Sequence, residues 1–315
     1  MIDVSVSDSP VAISLNFDSL NEAYGFPQSF TDPSFEKGFD RIARICANHN
    51  FPLSIYVIGK DLLNPARASA VKEWASQGHE IGNHSWSHHF NLGNLSCSEL
   101  KDEVTRSHDL ISEVTGEEPK GFISPCWSTS GRLIEILSDL RYLYDSSAFP
   151  SLLMYPMVAK VALNHWRNPS KGIRALLRKD WLGPLKFPNQ PFFMDSRMRV
   201  HSDNADGRLL ILPLPAKNRI SPAIWHTLGF IFGWDLVKRN VRKLSATREG
   251  FYYLIHPADF LEKNDLDESM PMALARMDLP LSEKLSALDQ MFSLIKDSGR
   301  PVRTMKDVAK SITSS

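Results

Sequence analysis

Three histidines lie within eight residues of this chain, in the sequence GNHSWSHH at residues 82–89. Two of them, His84 and His88, are four residues apart, and imidazole nitrogens are common ligands for zinc and similar ions. Two histidines that pack on one face of a helix would show the same spacing. This pair, however, follows a predicted strand end, where binding residues concentrate in folds of alternating strands and helices. The spacing therefore predicts a metal site that needs a third ligand, a carboxylate, from elsewhere in the chain.

The composition limits the class of protein. Of 315 residues, 36 are basic and 36 are acidic, so the formal net charge is zero and no nucleic-acid partner is expected. A hydrophobic content of 43% is enough for one large domain, predicted to span residues 1–315. Three cysteines at no metal-ligand spacing, Cys46, Cys97 and Cys126, favour a reduced, cytoplasmic protein. The sequence contains no run of about 18 apolar residues, the length that a membrane span would need.

Short apolar runs alternate with segments of helical periodicity, which favours an α/β fold with a parallel sheet, open or closed into a barrel. The predicted strands are residues 11–17, 52–59, 79–85, 120–125, 142–149, 209–215 and 252–260. The predicted helices are residues 32–49, 66–78, 98–116, 131–140 and 281–296, with Ser98 as the cap of the third helix. Residues 151–198, rich in proline, aromatic and basic residues, interrupt this alternation and are predicted to form a long insertion.

The motifs resemble those of the NodB-type polysaccharide deacetylases, also called family 4 of the carbohydrate esterases. That family's H-[ST]-x-x-H signature is matched by His84, Ser85 and His88, preceded by GHEIGNH. NFDS stands where the family has an aspartate pair, GFISPCWS stands at its Arg-x-Pro motif, and YLIHPADF stands at its closing strand. The resemblance covers about residues 11–310 and implies a distorted (β/α) barrel of about seven strands, with the site at the carboxyl ends of the strands.

The resemblance also implies a function, the metal-dependent hydrolysis of an acyl group, usually acetyl, on an amino sugar. The expected substrate is a surface polysaccharide or its nucleotide- or lipid-linked precursor. In this family a divalent metal, here expected to be zinc, polarises the carbonyl and activates water. The matching residues imply that Asp18, His84 and His88 hold the metal and that His256 protonates the leaving amine. From the sequence alone, His256 could equally be a histidine at a strand end.

The first motif departs from the family pattern. In one register of NFDS, Asn16 replaces the basic aspartate and Asp18, on the same face of the strand, is the metal ligand. In the other register, Asp18 is the base and Ser19 takes the metal position. We prefer the first register, because a metal site without a carboxylate would be the larger loss. The family's arginine that holds the base is also replaced, by Ile123 or Ser124, and an uncharged Asn16 would not need it.

These departures leave three functions open. The chain could be a deacetylase that uses another base, for which Glu22 is a candidate although a solvated loop glutamate is the alternative. It could also be a carbohydrate-binding relative that has lost activity. A third possibility is a deacylase or deformylase of a small metabolite. Asp259 could orient His256 or cap the following helix, and we prefer the cap.

Several residues are candidates for contacts with ligands. Tyr24, Pro125, Trp127 and Asp145 adjoin the motifs and are predicted to bind substrate, and Trp86 lies between the two histidines; aromatic residues at such places can equally be packing residues. In the insertion, apolar residues mixed with basic ones, including Arg174 and Arg178, predict a peripheral contact with anionic headgroups or a lipid-linked sugar. A lid or a dimer contact with a solvated basic face is the interpretation of this segment that we prefer.

Overall fold

A ten-stranded sheet is the centre of the computed structural model, which describes residues 8–164, 178, 180–247, 250–266, 277 and 279–314. The strands are β1 (Val11–Phe17), β2 (Leu53–Val57), β3 (Glu80–Asn83), β4 (Gly121–Phe122), β5 (Tyr144–Asp145), β6 (Phe192–Asp195), β7 (Val200–His201), β8 (Arg208–Ile211), β9 (Phe251–Ile255) and β10 (Val302–Arg303). Seven strands are parallel neighbours in the order β9-β1-β2-β3-β4-β5-β8. The predicted α/β class is confirmed, whereas the sheet has ten strands instead of about seven, and one of the additional strands, β10, also pairs parallel with β1.

Ten α-helices in the described residues accompany the sheet. They are α1 (Phe39–His49), α2 (Pro65–Ser76), α3 (Cys97–Thr115), α4 (Gly131–Asp139), α5 (Met154–Asn164), α6 (Gly183–Lys186), α7 (Thr227–Phe232), α8 (Trp234–Thr247), α9 (Leu281–Lys296) and α10 (Met305–Thr313). Helix α3 begins after Ser96, whose side chain and that of Glu99 cap each other's backbone amides. The predicted cap, Ser98, is therefore wrong by two residues. Gly116, in the left-handed conformation, ends the helix as predicted.

Strand β1 separates two buried layers. All seven of its residues are buried, as expected for a central parallel strand. Its alternate residues Val11, Ile13, Leu15 and Phe17 pack in one core with apolar residues of α1 and α9. Ala12 packs instead with tyrosines of β2, β5 and β9, in the core inside the curved sheet. Since strand residues alternate between faces, Asn16 lies on the same inner face as Ala12.

The inner layer contains a hydrogen-bonded cluster of buried polar side chains. The hydroxyls of Tyr56 and Tyr144 are 2.6 Å apart, and the Tyr144 hydroxyl donates to Oε1 of Glu80 at 2.7 Å. The tyrosines fit because their neighbours are glycines: a Cβ atom would lie 2.5 Å from the ring of Tyr56 at Gly82 and 2.0 Å from the hydroxyl of Tyr144 at Gly121. The interior below the strand ends is therefore filled by side chains.

The predicted insertion is only partly a separate segment. Its last part, β6, pairs antiparallel with β8 and with β7, so the sheet extends into it. Residues 165–177 and 179, including Arg174, lie outside the described residues. Arg178 is buried and paired with Asp180, so the prediction that it faces anionic headgroups is wrong. Within the described ranges, no helix has the length and hydrophobicity needed to cross a membrane.

Candidate functional site

Asp18, His84 and His88 meet where β1 and β3 end. Oδ1 of Asp18 lies 3.1 Å from Nε2 of His84 and 3.4 Å from Nε2 of His88. One ligand atom from each side chain lies within 4.8 Å of the other two, the one such group of His, Cys, Asp and Glu in the described part of the chain. A carboxylate and two imidazoles are a donor set that suits a catalytic zinc ion and leaves a position for water.

The tautomer of His84 supports this assignment. Nδ1 of His84 lies 2.6 Å from the carbonyl oxygen of Ile123, so this nitrogen carries the proton. Burial lowers the pKa of His84, although its contact with Asp18 opposes the shift, and the ring is therefore neutral. The lone pair of Nε2 then faces the carboxylate of Asp18. Two acceptors this close repel each other unless a cation lies between them, so the arrangement fits a divalent ion.

The ionisation state of Asp18 also supports a metal site. Burial raises the pKa of Asp18, but the electrostatic interaction with His88, the largest opposing contribution, helps to leave this pKa well below its usual value. The group is thus a carboxylate at neutral pH, the form that binds metals. Ser19, the metal position in the other register, is buried, and its hydroxyl accepts from the backbone amide of Glu22 at 3.2 Å.

The loop between the two histidines has a strained backbone. Ser85 and His88 have φ angles of 65° and 54°, in the left-handed region. For residues other than glycine this conformation costs about 1–2 kcal/mol each, so the surroundings must stabilise it. Oδ1 of Asn83 accepts from the amide of Ser85 at 2.8 Å. The carboxylate of Glu103, on α3, accepts from the amides of Trp86 and Ser87 at 3.1 and 3.0 Å and from the Ser87 hydroxyl at 2.5 Å.

Glu103→Gln is expected to weaken zinc binding by about 10–100-fold, the usual effect of removing a group that orients a metal ligand. Glutamine offers one acceptor oxygen and places an NH₂ group against the loop amides, so the loop that carries His88 loses its support. The zinc dissociation constant, measured by competition with a chelator, checks this prediction. Glu113→Gln, at an exposed position of the same helix, is the matched control. Equal affinities for the two variants would contradict the proposed support.

His256 faces the same site from β9. Its Nε2 lies 3.9 Å from Oδ2 of Asp18, and its Nδ1 lies 3.7 Å from Oδ2 of Asp259. Asp259 is fully buried and also accepts from the backbone amide of His256 at 3.2 Å and from the hydroxyl of Thr227. Asp259 is therefore more than the helix cap that we preferred, because its carboxylate also lies beside the imidazole.

Asn16 lies at the same level of the sheet as His256. The parallel register pairs Leu15 with Ile255, so the next residues of the two strands are adjacent. Asn16 is 5% exposed, and its Oδ1 is buried without a hydrogen-bond partner among the described residues. Leaving a buried acceptor unsatisfied costs about 1–3 kcal/mol, which is a reason to look for a ligand or a water there.

The third motif, GFISPCWS at residues 121–128, has no charged side chain that could pair with a group at position 16. Ile123 packs in the inner core, and its carbonyl is bonded to His84. The amide of Ser124 donates to the hydroxyl of Ser147 at 2.8 Å. Neither residue can replace a guanidinium group.

The other candidate residues lie in packed or paired positions. Glu22 is bound to Lys60 at 2.9 Å and accepts from Gln28 at 2.7 Å, so it is neither a solvated loop glutamate nor a member of the metal group. Tyr24 packs against the cluster of Leu20 and Phe26.

Near the third motif, Pro125 and Asp145 are buried, and Trp127 is only 8% exposed. Trp127 packs on Phe149 and Trp225, with ring centroids 5.2 and 5.6 Å away. A substrate contact for these residues stays a prediction. Trp225 is partly exposed and pairs in parallel with Leu254, two residues before His256. No sequence pattern predicts its position beside the site.

Asp145→Asn is expected to stabilise the protein increasingly as the pH rises from about 4 to 7. Burial raises the pKa of Asp145 to about 7, although bonds from Ser147 oppose it. The protonated folded form is therefore favoured below pH 4, and that stability is lost as the pH rises to the folded pKa. At about 1.4 kcal/mol per pKa unit, the difference could reach roughly 4 kcal/mol. Melting curves of both proteins in chelator, compared at each pH, test this; a difference independent of pH would contradict it.

Comparisons with known proteins agree with this geometry. Residues 7–144 match the family model described as polysaccharide deacetylase. A peptidoglycan deacetylase of Helicobacter pylori is 27% identical over 150 residues, which are 48% of this chain and 48% of that protein. The match thus spans about half the length of that relative.

Two solved structures show the fold. A Mycobacterium smegmatis protein, provisionally named a polysaccharide deacetylase, has a TM-score of 0.58 at 16% identity over 97% of this chain and 91% of its own. A Bacillus anthracis protein, named a pseudoenzyme of carbohydrate esterase family 4, has a TM-score of 0.51 at 14% identity over 96% of this chain and 66% of its own. The match to the polysaccharide deacetylase family model thus covers residues 7–144, and the likeness to these two structures over nearly all of the chain shows the fold.

Proposed function

We propose that this protein is a metal-dependent deacetylase that hydrolyses an N-acyl group, most often N-acetyl, of a sugar in a surface polysaccharide or its nucleotide- or lipid-linked precursor. One observation carries the proposal: the unprotonated Nε2 of His84 faces the ionised Asp18 at 3.1 Å, with His88 beside them. The family match and the peptidoglycan deacetylase among the relatives support it.

The residues divide the chemistry between them. A zinc ion held by Asp18, His84 and His88 would polarise the acyl carbonyl and lower the pKa of water. In the hydrolysis, the oxygen of water bonds to the carbonyl carbon, the carbon–nitrogen bond breaks, and the leaving nitrogen takes a proton. We assign this proton transfer to His256, whose Nδ1 lies 3.7 Å from Oδ2 of Asp259. Asn16 is an amide and cannot accept the proton that the attacking water loses, so the usual base is missing and this proton passes to solvent.

A carbohydrate-binding protein without turnover is the second candidate. Asn16 stands at the base position, and Ile123 and Ser124 provide no arginine. The Bacillus anthracis protein, named a pseudoenzyme, shows that the fold also occurs in a protein described in this way. In this function the same residues would bind the sugar while the acyl group stays attached.

Product release separates the two candidates. Zinc-loaded protein is incubated with oligomers of N-acetylglucosamine and with peptidoglycan fragments, and acetate and formate are quantified. We expect acetate from the unchanged protein and none from His256→Ala. Binding of the oligomers by calorimetry without release of acid would instead favour the carbohydrate-binding function. Release of formate from formylated amino sugars alone would indicate a deformylase.

The proposal includes a cytoplasmic location, which would make a precursor the substrate. Cys46, Cys97 and Cys126 are all free, as in a reducing compartment. Fractionation of cells that produce the protein tests this part, and recovery outside the cell would make finished wall polymer the better substrate.

A further inference from the structure

A buried ion pair from the predicted insertion lies against the third motif. Nε and Nη2 of Arg178 donate to the two carboxylate oxygens of Asp180 at 2.8 and 2.7 Å. Both side chains are only 2% exposed. Asp180 also accepts from the amide of Thr129 at 3.2 Å. A fork of this kind fixes the orientation of the guanidinium group as well as its charge.

The guanidinium holds a turn with an unusual backbone. Cys126 and Trp127 are consecutive residues with φ angles of 51° and 52°, in the left-handed region that favours glycine. Nη1 of Arg178 donates to the carbonyl of Cys126 at 3.0 Å, and Nη2 donates to that of Trp127 at 2.8 Å. Two strained residues in a row persist only when the surrounding structure determines them. Arg178 is the group that contacts both carbonyls.

This turn adjoins the metal site on two sides. The carbonyl of Ile123, three residues before the turn, is the group that orients His84. After the turn, the hydroxyl of Ser128 accepts from the amide of Gly93, in the segment that follows His88. A Cβ atom at Gly93 would lie 2.6 Å from the carbonyl of Thr129, so the two segments are in close contact.

We propose that Arg178 is a positioning residue: paired with Asp180, it fixes the left-handed turn at Cys126 and Trp127 and thereby holds the Ile123 carbonyl that orients His84. The proposal rests on the proposed function in that the oriented histidine is a zinc ligand. It makes this part of the insertion a part of the site. Neither residue touches a substrate, so the effect is on the geometry of the ligands.

The double variant Arg178→Ala/Asp180→Ala tests the proposal, since removing both charges leaves no unpaired buried ion. In a Cys97→Ser background, the thiol of Cys126 reports on the turn through its rate of reaction with a disulfide reagent, measured in chelator. The labelled residue is identified by mass spectrometry. We expect the rate to rise about tenfold or more as the thiol becomes accessible, and zinc affinity to fall about 10–100-fold. Arg208→Ala/Asp203→Ala, which removes an ion pair at the surface, is the matched control.

A rescue variant distinguishes positioning from general stability. Glycine adopts the left-handed conformation freely, so adding Cys126→Gly to the double variant should restore part of the zinc affinity. A lower melting temperature with unchanged zinc affinity would overturn the proposal, as would an unchanged thiol rate in a folded variant. If the unchanged protein binds no zinc, the proposed function fails and so does the link to His84, while the thiol rate still shows whether Arg178 fixes the turn.

Discussion

Alanine in place of His84 or Asp18 is expected to lower the zinc affinity of this protein by about two orders of magnitude or more. Zinc bound by four ligands contributes roughly 10–16 kcal/mol, or about 3 kcal/mol per ligand. Asp18 and His84 contact each other at 3.1 Å, so the loss of either removes a ligand from the same centre. Elemental analysis should find near one equivalent in the unchanged protein, and competition with a chelator should give the change in affinity.

His89→Ala is the matched control for these variants. His89 belongs to the same sequence, GNHSWSHH, but lies outside the group that could hold a metal, and its ring stacks on Phe90. Its loss should leave zinc binding unchanged. If the unchanged protein binds no zinc even when zinc is supplied, the histidines are scaffold residues and the carbohydrate-binding function becomes the better one.

Asn16→Asp is expected to raise kcat for deacetylation by about 10²–10⁴-fold, the usual contribution of a general base. The carboxylate would occupy a buried position whose present amide oxygen has no partner among the described residues. It would lie next to His256 in the register of β1 and β9, on the inner face of the sheet. The release of acetate under saturating substrate measures the change.

Asn16→Ala is the control for that variant, because it removes the amide without adding a base. A gain confined to Asn16→Asp would show that the natural site lacks only the base. Loss of turnover in both variants would contradict the expectation and would mean that the amide of Asn16 takes part in the natural reaction. Zinc affinity, measured for each variant, separates an effect on the metal from an effect on the base.

Much of the fold could be predicted from local patterns. The strands β1, β2 and β9 are fully buried and mostly apolar, as parallel strands covered on both faces require. The cap of α3 was placed at Ser98 instead of Ser96 because several serines precede that helix, and only the reciprocal bond with Glu99 selects one. Strand β6 falls within the predicted insertion because residues 151–198 are rich in proline, aromatic and basic residues, and its antiparallel pairing with β8 is not visible in the sequence.

Only some residues of the candidate site could be predicted from the sequence. His84 and His88 are four residues apart, so the pair was visible as a motif, and Asp18 and His256 follow strand runs that end at the same edge of a parallel sheet. Glu103 and Arg178 were missed as supporting residues. Each acts on a loop distant in the sequence, through hydrogen bonds to backbone amides or carbonyls, and such bonds place no constraint on nearby residue types.

The sequence by itself determined the alternation of strands and helices, the histidine pair and the single aspartate of NFDS, because each of these depends on residue types and short spacings. Only the tertiary structure decided that Asp18, and not Ser19, lies against the histidines. It also decided that Asp259 lies beside His256 and that Arg178 is buried instead of facing a membrane. These facts depend on which strand ends and loops meet in space, and chain folding brings together groups that no local pattern connects.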